Sequence, residues 1–473
     1  MTFVRWGGLA LVRWGGLAGS ALVAVAAYLG GLGFTRTALL TPVQVLRGEQ
    51  GVLVPLCWIA GLAVLLTAWW YGRRVVPSTR WALITVALWF VPVLPMLPLG
   101  SADIYSYACQ GYIQHAGGDP YAYGVQQFGC PWLDAVSTTW WDSPAPYGPL
   151  FLLVAGWAVA VGGSLAGTIA GLRVIALAGL ALVAAGVVTL ARRLGADPAK
   201  AVWTVLACPL VLIHLVSGAH NDALMVGLMV AGLAVVVHRR SPAGLIAAGA
   251  LLGLAGAVKA TALVVLPFAA LVAVPSGSCL RALVRTMALL ACGAVAALGA
   301  VSLVAGRGLG WVGGLLRSGD TITWTSPPTA VGLAINGLAR IAGRHVNAVP
   351  VTRALGVAVL AVFLVLCWMR TRRSNAAIGG AGTALTGTVA CAPVLHPWYA
   401  TWPLAVLAAT PDLPRWMLVA CTVAATLTLP GGYNWAEATR LPGSLLMTAG
   451  LVVLAVRAHH SPRSWSCGWP YGR

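Results

Sequence analysis

The sequence predicts an all-α polytopic membrane protein, because two features of its composition exclude a soluble enzyme. Hydrophobic residues make up 59% of its 473 residues and only 8% are charged, whereas about a quarter of the residues in a soluble domain are charged. Apolar runs recur along the whole chain, many of them close to the roughly 20 residues that a membrane-spanning helix needs. We therefore treat residues 1–473 as a single transmembrane domain.

The apolar runs predict about 13–14 transmembrane helices. Runs somewhat shorter than a full span are included, because neighbouring helices can bury the ends of a short helix and the bilayer can thin around it. The predicted spans are 14–34, 52–71, 81–99, 171–190, 201–216, 223–237, 245–258, 261–274, 286–305, 353–369, 375–391, 400–411, 415–430 and 443–457.

The positive charges orient these spans. The formal net charge is +19, but the arginines stand in ones and twos between apolar runs, which indicates membrane orientation and not a nucleic-acid-binding face. Basic clusters occur on alternate turns, and the positive-inside rule makes that side cytoplasmic. Most acidic residues then lie on the other side. We therefore expect a plasma-membrane protein in contact with the lipid bilayer, with no nucleic-acid partner and with its chemistry on the extracytoplasmic face.

Residues 149–163 form an apolar run that would invert every later loop if it crossed the membrane. We therefore expect a juxtamembrane helix at the outer interface, where its apolar face could meet a lipid-tailed substrate.

The stretch from Gly100 to Gly148 is a polar, aromatic-rich segment in an otherwise apolar chain. It contains four of the ten acidic residues of the protein, and carboxylates close to hydrocarbon are usually retained for function. We expect a working surface here; the alternative is a solvated loop with aromatic residues at the headgroup level. Cys109 and Cys130 lie in the same segment and could form a disulfide if it faces an oxidising compartment, a pairing that the sequence leaves open.

Asp103 in SADIYSYACQG, residues 101–111, is the predicted general base. It directly follows the third span, where a carboxylate could accept the proton of an incoming hydroxyl; the alternative is a helix N-cap. Tyr105 and Gln110 of the same motif are candidate substrate-binding residues. Asp119 in GGDPYAYG is a further candidate, although Asp-Pro flanked by glycines is first of all a turn signal.

Two cations could stabilise a phosphate group on the outer side. Arg173 opens a predicted span, and its guanidinium can bind phosphate through two parallel hydrogen bonds. Lys259 lies at a predicted outer turn, where its charge could stabilise a leaving phosphate. The alternative for both is an ordinary headgroup anchor.

Polar and aromatic turns supply the remaining candidates. The HND turn, residues 220–222, offers a donor, an amide and an acceptor to sugar hydroxyls, and its spacing does not define a metal site. The HPWY run around His396 could stack against a sugar, or belong to the aromatic belt of the membrane interface. The predicted substrate-binding residues are Tyr105, Gln110, Asp119, Tyr147, Arg173, His220, Asn221, Asp222, Lys259, His396, Trp398 and Tyr399.

Taken in order, these motifs resemble a known family. The DIYSYACQG run, the GGDPY turn, PAPYGPL, the HND turn, KATAL and the HPWY loop together resemble the actinobacterial polyprenol-phosphate-mannose-dependent α-1,6-mannosyltransferases. That family belongs to the GT-C class of multi-span glycosyltransferases, which act on the outer membrane face. The resemblance covers residues from about 80 to 440 and is more specific for the class than for the acceptor.

The resemblance implies a donor, an acceptor and a mechanism. The donor would be a polyprenyl-phosphate mannose and the acceptor a lipid-anchored mannan of the lipomannan or lipoarabinomannan type. Transfer would invert the anomeric centre, with Asp103 as base and Arg173 facing the lipid phosphate. No cofactor is expected; a divalent metal is possible but not expected, because a donor linked through a single phosphate presents few charges. Alternatives are the transfer of arabinofuranose or glucose, or a transporter or flippase for a lipid-linked sugar. The oligomeric state stays open.

Overall fold

A computed structural model describes residues 2–31, 43, 47, 51–274, 278–317, 322–373, 376–432 and 434–460, and this part of the chain is helical. Its β-structure is limited to an isolated bridge between Thr428 and Asn434. The α-helices are α1 (Thr2–Gly30), α2 (Leu53–Val75), α3 (Thr79–Phe90), α4 (Asp103–His115), α5 (Val125–Phe128), α6 (Pro149–Gly162), α7 (Leu165–Leu194), α8 (Pro198–Leu206), α9 (Asp222–His238), α10 (Pro242–Gly256), α11 (Leu266–Ala273), α12 (Leu280–Ala305), α13 (Gly310–Arg317), α14 (Pro327–Ile341), α15 (Val349–Arg372), α16 (Ala377–Cys391), α17 (Thr401–Leu407), α18 (Arg415–Leu427), α19 (Trp435–Ala438) and α20 (Arg440–His460).

The helix lengths confirm an all-α polytopic membrane fold. Within the described residues, six helices are long and apolar enough to cross a membrane, namely α1, α2, α7, α12, α15 and α20. A seventh candidate joins α8 to the π-helix Val211–Ser217 across a bend of 68°. Seven shorter apolar helices of 10–17 residues include α6, which occupies the run at 149–163. By this count, 13 of the 14 predicted spans coincide with an apolar helix or a bent helix pair.

The predicted span at 400–411 is wrong. The helix there is Thr401–Leu407, preceded by a 3₁₀ turn at Pro397–Ala400. Its seven residues extend only about 10 Å at the usual rise per residue, far less than the roughly 30 Å of hydrocarbon in a bilayer. All seven residues are buried, so the apolar run reflects burial inside the protein and not exposure to lipid.

Small residues bring together the helices that carry the candidate site. A Cβ built on Gly179 of α7 would lie 2.5 Å from the carbonyl oxygen of Ala223, and one on Gly227 would lie 2.3 Å from the carbonyl oxygen of Gly179. Helices α7 and α9 therefore touch backbone to backbone, as small residues allow in membrane bundles. The same holds for α4 and α6, since a Cβ on Gly111 would lie 2.6 Å from the carbonyl oxygen of Ala155. This close packing fixes α4 against α6 and α9 against α7, and the candidate site lies at the N-termini of α4 and α9.

A cluster of buried tryptophans holds the first helices against α8. The Nε1 of Trp69 donates to the carbonyl oxygen of Thr204 at 3.0 Å, and the Nε1 of Trp203 donates to that of Trp69 at 2.9 Å. The Nε1 of Trp89 donates to the carbonyl oxygen of Arg13 at 2.9 Å. Each indole is therefore buried without losing its hydrogen bond, which is the condition for placing Trp in a core.

Candidate active site

Asp103 is the first residue of α4, and its carboxylate is free of any capping role. The N-cap position belongs to Ala102, without a side-chain cap bond. The Nε1 of Trp140 donates to Oδ1 of Asp103 at 3.2 Å, and Nδ1 of His220 lies 3.9 Å from Oδ2. The side chain is 13% exposed. Burial raises the pKa of Asp103 to about 6, against the lowering effects of Ser101, Lys259 and Trp140.

His220 connects Asp103 with Tyr107, one turn further along α4. The hydroxyl of Tyr107 and Nδ1 of His220 are 3.0 Å apart. Both residues are buried, and burial holds the pKa of His220 well below its usual range. The imidazole is therefore neutral at physiological pH, so it does not neutralise the Asp103 carboxylate.

A second carboxylate, Asp222, has its charge compensated. The Nζ of Lys259 donates to both oxygens of Asp222, at 2.9 and 3.0 Å, and the Nε1 of Trp402 donates to Oδ1 at 2.6 Å. Asp222 is fully buried, whereas the side chain of Lys259 is 11% exposed. The predicted contact of Asp222 with sugar hydroxyls is therefore not seen, because Lys259 and Trp402 occupy its oxygens.

Aromatic rings line the rest of the site. Trp398 stacks on His220 with 3.8 Å between ring centroids and on His396 with 4.5 Å. Tyr399 packs on Trp402 at 4.3 Å, and Nζ of Lys259 lies 4.8 Å from the centre of the Tyr399 ring. Among these, His396 and Tyr399 are partly exposed. Burial lowers the pKa of His396 to about 3, so the platform is uncharged except for Lys259.

Tyr147 closes the side of the platform that faces α4 and α6. Its ring lies 5.2 Å from that of Tyr107 and 5.3 Å from that of Phe151 in α6, measured between centroids. Lys259 Nζ is 5.9 Å from the Tyr147 ring centre. The structure therefore joins Tyr147 to Lys259 and to the Asp103 helix, as the sequence predicts for one shared surface.

Arg173 does not face this surface. Its Nε and Nη2 donate to the carbonyl oxygen of Ser217, its Nη1 donates to that of Leu94, and its Nη2 also donates to that of Met96, over distances of 2.6–3.2 Å. Four of the five guanidinium N–H groups can be used this way. The prediction that Arg173 binds the lipid phosphate is at odds with this geometry; Arg173 instead fastens the turn after the π-helix to the end of the third predicted span.

Tyr105 and Asp119 have structural roles in the segment that carries Asp103. Tyr105 follows Asp103 by two positions on α4, about 200° around the helix axis, and is completely buried. The Oδ1 of Asp119 accepts the backbone N–H of Tyr121 at 2.9 Å, so Asp119 forms the turn that its Asp-Pro sequence indicates. Their part in substrate binding stays a prediction, and the exposed Asp134 and Asp142 of the same segment lie on its surface.

A disulfide between Cys109 and Cys130 fastens the loop that carries Trp140 to α4. The two Cα atoms are 5.6 Å apart, and both cysteines are buried. The pairing that the sequence left open is therefore present. It fixes the loop close to the helix whose first residue is Asp103.

Sequence reasoning missed Trp402 and His214 as members of the site, and it counted Tyr107 and Trp140 among the aromatic residues of the segment from Gly100 to Gly148 without giving them a role. A helical signal was available for Tyr107, four residues after Asp103, and for Trp402, four residues after Trp398. His214 in a predicted span was a further signal; its ring lies 5.0 Å from that of Trp398. Trp140 reaches Asp103 through an irregular loop, which no periodicity reveals.

The described residues contain no group of three or more His, Cys, Asp or Glu side chains suited to holding a metal ion. The expectation that no metal is required stays a prediction.

Comparison with known proteins gives the family. Residues 13–275 match the model described as alpha-(1->6)-mannopyranosyltransferase, N-terminal domain, and residues 328–458 match the MptB C-terminal domain. The chain is 38% identical to alpha-(1->6)-mannopyranosyltransferase A of Mycobacterium tuberculosis, over 79% of this chain and 77% of that protein. It is 29% identical to alpha-(1->6)-mannopyranosyltransferase A of Corynebacterium glutamicum, over 78% of this chain and 81% of that protein.

A solved structure, the Archaeoglobus fulgidus oligosaccharyltransferase complex with zinc and sulfate, aligns with 78% of this chain and 52% of its own at 17% identity. The TM-score of 0.36 is too low for that likeness to support an argument. The match to the family model and the identity to the mycobacterial relative are sufficient without it: the chain belongs to the alpha-(1->6)-mannopyranosyltransferase family, as its motifs predicted.

Proposed function

We propose that this protein transfers a mannosyl group from a polyprenyl-phosphate donor to a hydroxyl of a lipid-anchored mannan, forming an α-1,6 linkage on the extracytoplasmic face. The family supports mannosyl transfer. The observation that carries the mechanism is Asp103, a largely buried carboxylate that has no lysine or arginine partner within 4 Å among the described residues. A carboxylate in such surroundings gains by taking up a proton, which is what a general base must do.

The chemical step follows from that geometry. Asp103 takes the proton of the acceptor hydroxyl while the hydroxyl oxygen attacks the anomeric carbon of the donor sugar. The bond between that carbon and the phosphate oxygen breaks, and the lipid phosphate departs with one more negative charge. Attack from the face opposite the phosphate inverts the anomeric centre. The proton on Asp103 is then released to solvent through its exposed edge.

Lys259 is the cation that we assign to the departing phosphate. Two of its three N–H groups bind Asp222, which leaves one donor on a side chain that is 11% exposed. Asp222 and Trp402 act as positioning residues, because they hold Lys259 without touching the substrate. A fixed charge beside the leaving group stabilises the transition state more than the bound donor, and this lowers the barrier.

The aromatic platform suits a sugar, and the neighbouring helix suits its lipid. Trp398 stacks on His220, the neighbour of Asp103, and Tyr399 presents its ring to Lys259. Helix α6, whose Phe151 packs against Tyr107 and Tyr147, also carries the exposed apolar side chains Trp157 and Val161. The Cys109–Cys130 disulfide supports an extracytoplasmic position for the site, since disulfides persist in oxidising compartments.

The test is a transfer assay in membranes with labelled mannosyl-phosphopolyprenol and an α-1,6-mannoside acceptor. Wild type should extend the acceptor, whereas Asp103→Asn should bind the donor but lose at least about a hundredfold in kcat. Asp134→Asn, an exposed carboxylate in the same segment, is the matched control and should keep full activity. Turnover by Asp103→Asn equal to wild type would refute the assignment, and transfer from an arabinofuranosyl or glucosyl donor alone would refute the sugar.

A further inference from the structure

Close to Asp103, a group of buried polar atoms has no hydrogen-bond partner within the described part of the chain. Asn221 is only 3% exposed, yet neither its Oδ1 nor its Nδ2 meets a partner. The same holds for Nε2 of His220 and Nε1 of Trp398. Buried polar atoms are nearly always paired in folded proteins, so each exception requires an explanation.

These atoms belong to the turn that carries His220 and Asn221 and to the Trp398 ring stacked on it. His220 uses Nδ1 toward Tyr107 and Asp103, and its ring face is covered by Trp398, so Nε2 points away from both. Asn221 follows His220 directly in the turn before α9. The unpartnered Oγ of Ser217 belongs to the last residue of the π-helix that precedes this turn. The turn therefore forms a polar floor next to the catalytic carboxylate.

The backbone holds this floor in a costly conformation. Ala219 has a positive φ of 44°, which is uncommon for a residue with a side chain, and the turn follows directly on the π-helix Val211–Ser217. Arg173 clamps the carbonyl oxygen of Ser217. Strain that the surroundings enforce concentrates at binding and catalytic sites. The positive φ of Ala219 and the unpaired amide of Asn221 both lower stability, so we infer that this turn serves binding.

The chemistry of the floor suits an uncharged ligand. Asn221 is neutral and His220 is neutral, so neither favours a phosphate over a neutral group. An amide offers both a donor and an acceptor, and a hydroxyl group likewise both donates and accepts. Among the parts of the two substrates, only the sugar rings offer hydroxyls next to the reacting atoms.

We infer that Asn221, assisted by Nε2 of His220, hydrogen-bonds hydroxyl groups of a mannosyl unit at the reaction centre and thereby sets the sugar specificity of the enzyme. This inference rests on the proposed function, and it refines that function by naming the residue that recognises the sugar hydroxyls. A site built to bond a hydroxyl discriminates strongly against an analogue that lacks it, because its own buried groups are then left unpaired.

The test uses Asn221→Leu, which keeps the size of the side chain and removes its polar atoms. We expect a melting temperature equal to or above that of wild type, since no protein hydrogen bond is lost. We also expect kcat/KM to fall by at least about tenfold with natural substrates. With one monodeoxy mannosyl-phosphopolyprenol or one monodeoxy acceptor, wild type and variant should become equal within about threefold. The analogue that equalises them shows whether Asn221 reads the donor or the acceptor.

Asn336→Leu is the matched control, because the Oδ1 of Asn336 accepts the backbone N–H of Ala348 at 2.8 Å. It should show the opposite pattern, a lower melting temperature with unchanged kcat/KM. Asn221→Leu with wild-type kcat/KM, or with a lowered melting temperature like that of the control, overturns the inference. The proposed function has its own readout: an inactive Asp103→Asn beside a fully active Asn221→Leu would remove only the sugar-reading role.

Discussion

The Asp103 carboxylate should weaken the fold at the pH where it works, and this can be measured with Asp103→Asn. The variant keeps an oxygen that can accept the Nε1–H of Trp140, which lies 3.2 Å from the native Oδ1. It removes a charge that has no lysine or arginine partner within 4 Å among the described residues. We therefore expect the variant to be inactive and more stable than wild type near neutral pH.

The magnitude follows from the pKa of Asp103. Burial raises it from 3.8 to about 6, and a shift of roughly two pKa units corresponds to about 3 kcal/mol. Because the folded pKa lies above the unfolded one, the native state binds the proton more tightly. Proton binding at Asp103 therefore stabilises the native state fully below pH 3.8, and this stabilisation is lost as the pH rises through about 6. Relative to Asp103→Asn, wild type should thus lose up to about 3 kcal/mol between acidic and neutral pH.

The assay is thermal unfolding of both purified proteins in the same detergent across this pH range. The melting temperature of Asp103→Asn should exceed that of wild type by a few degrees at pH 7.5, and the difference should vanish near pH 4. In parallel, wild-type kcat/KM should fall about tenfold per pH unit below about 6, as the base becomes protonated. A variant less stable than wild type at pH 7.5, or a difference independent of pH, would refute the reasoning.

Two further predictions concern the elements that hold the site. Lys259→Met should lower stability by about 3–5 kcal/mol, because it leaves Asp222 buried without its cation. Adding Asp222→Asn should restore the melting temperature while turnover stays at least about tenfold low, and the control Lys200→Met, in an exposed ion pair, should change neither quantity. Recovered turnover in the double variant would contradict the role of the ammonium. Removing the Cys109–Cys130 disulfide, by reductant or by double Ser substitution, should lower the free energy of unfolding by about 3 kcal/mol. It should also lower kcat, because the loop that carries Trp140 is released from α4. Unchanged kcat in both preparations would show that other contacts hold the loop.

Most of the helices could be predicted from the sequence because they follow from one local property, the length of an apolar run. The same property failed at 400–411, since an apolar run buried inside a protein reads like one exposed to lipid. There the chain turns through Pro397–Ala400 and forms the short helix Thr401–Leu407. That helix brings Trp402 to Asp222 across 180 residues of sequence. Hydropathy cannot reveal such a contact, because it carries no information on distance between segments.

The sequence predicted which residues belong to the candidate site better than it predicted what each of them binds. Residue type identified Asp103, His220, Lys259 and Trp398, and the structure brings them together. Roles depend on which partner each charge meets. Arg173 has the right chemistry for phosphate, but three backbone carbonyls take its N–H groups. Those carbonyls belong to irregular segments whose course is set by tertiary packing, which the sequence pattern does not show.

The different roles of the two carboxylates follow from how their charges are met. Asp222 receives an ammonium on both oxygens and an indole N–H, so its charge is balanced by groups of the protein. Asp103 receives hydrogen bonds from Ser101 and from the indole N–H of Trp140 but no ammonium, and the imidazole beside it is neutral. Lys259 and Asp222 cancel each other at close range, which leaves Asp103 as the carboxylate whose protonation relieves an unbalanced charge. Sites that carry out proton transfer near neutral pH give their two acidic groups different electrostatic surroundings in this way. Moving the cation from Asp222 to Asp103 would therefore abolish the base without removing any residue from the site.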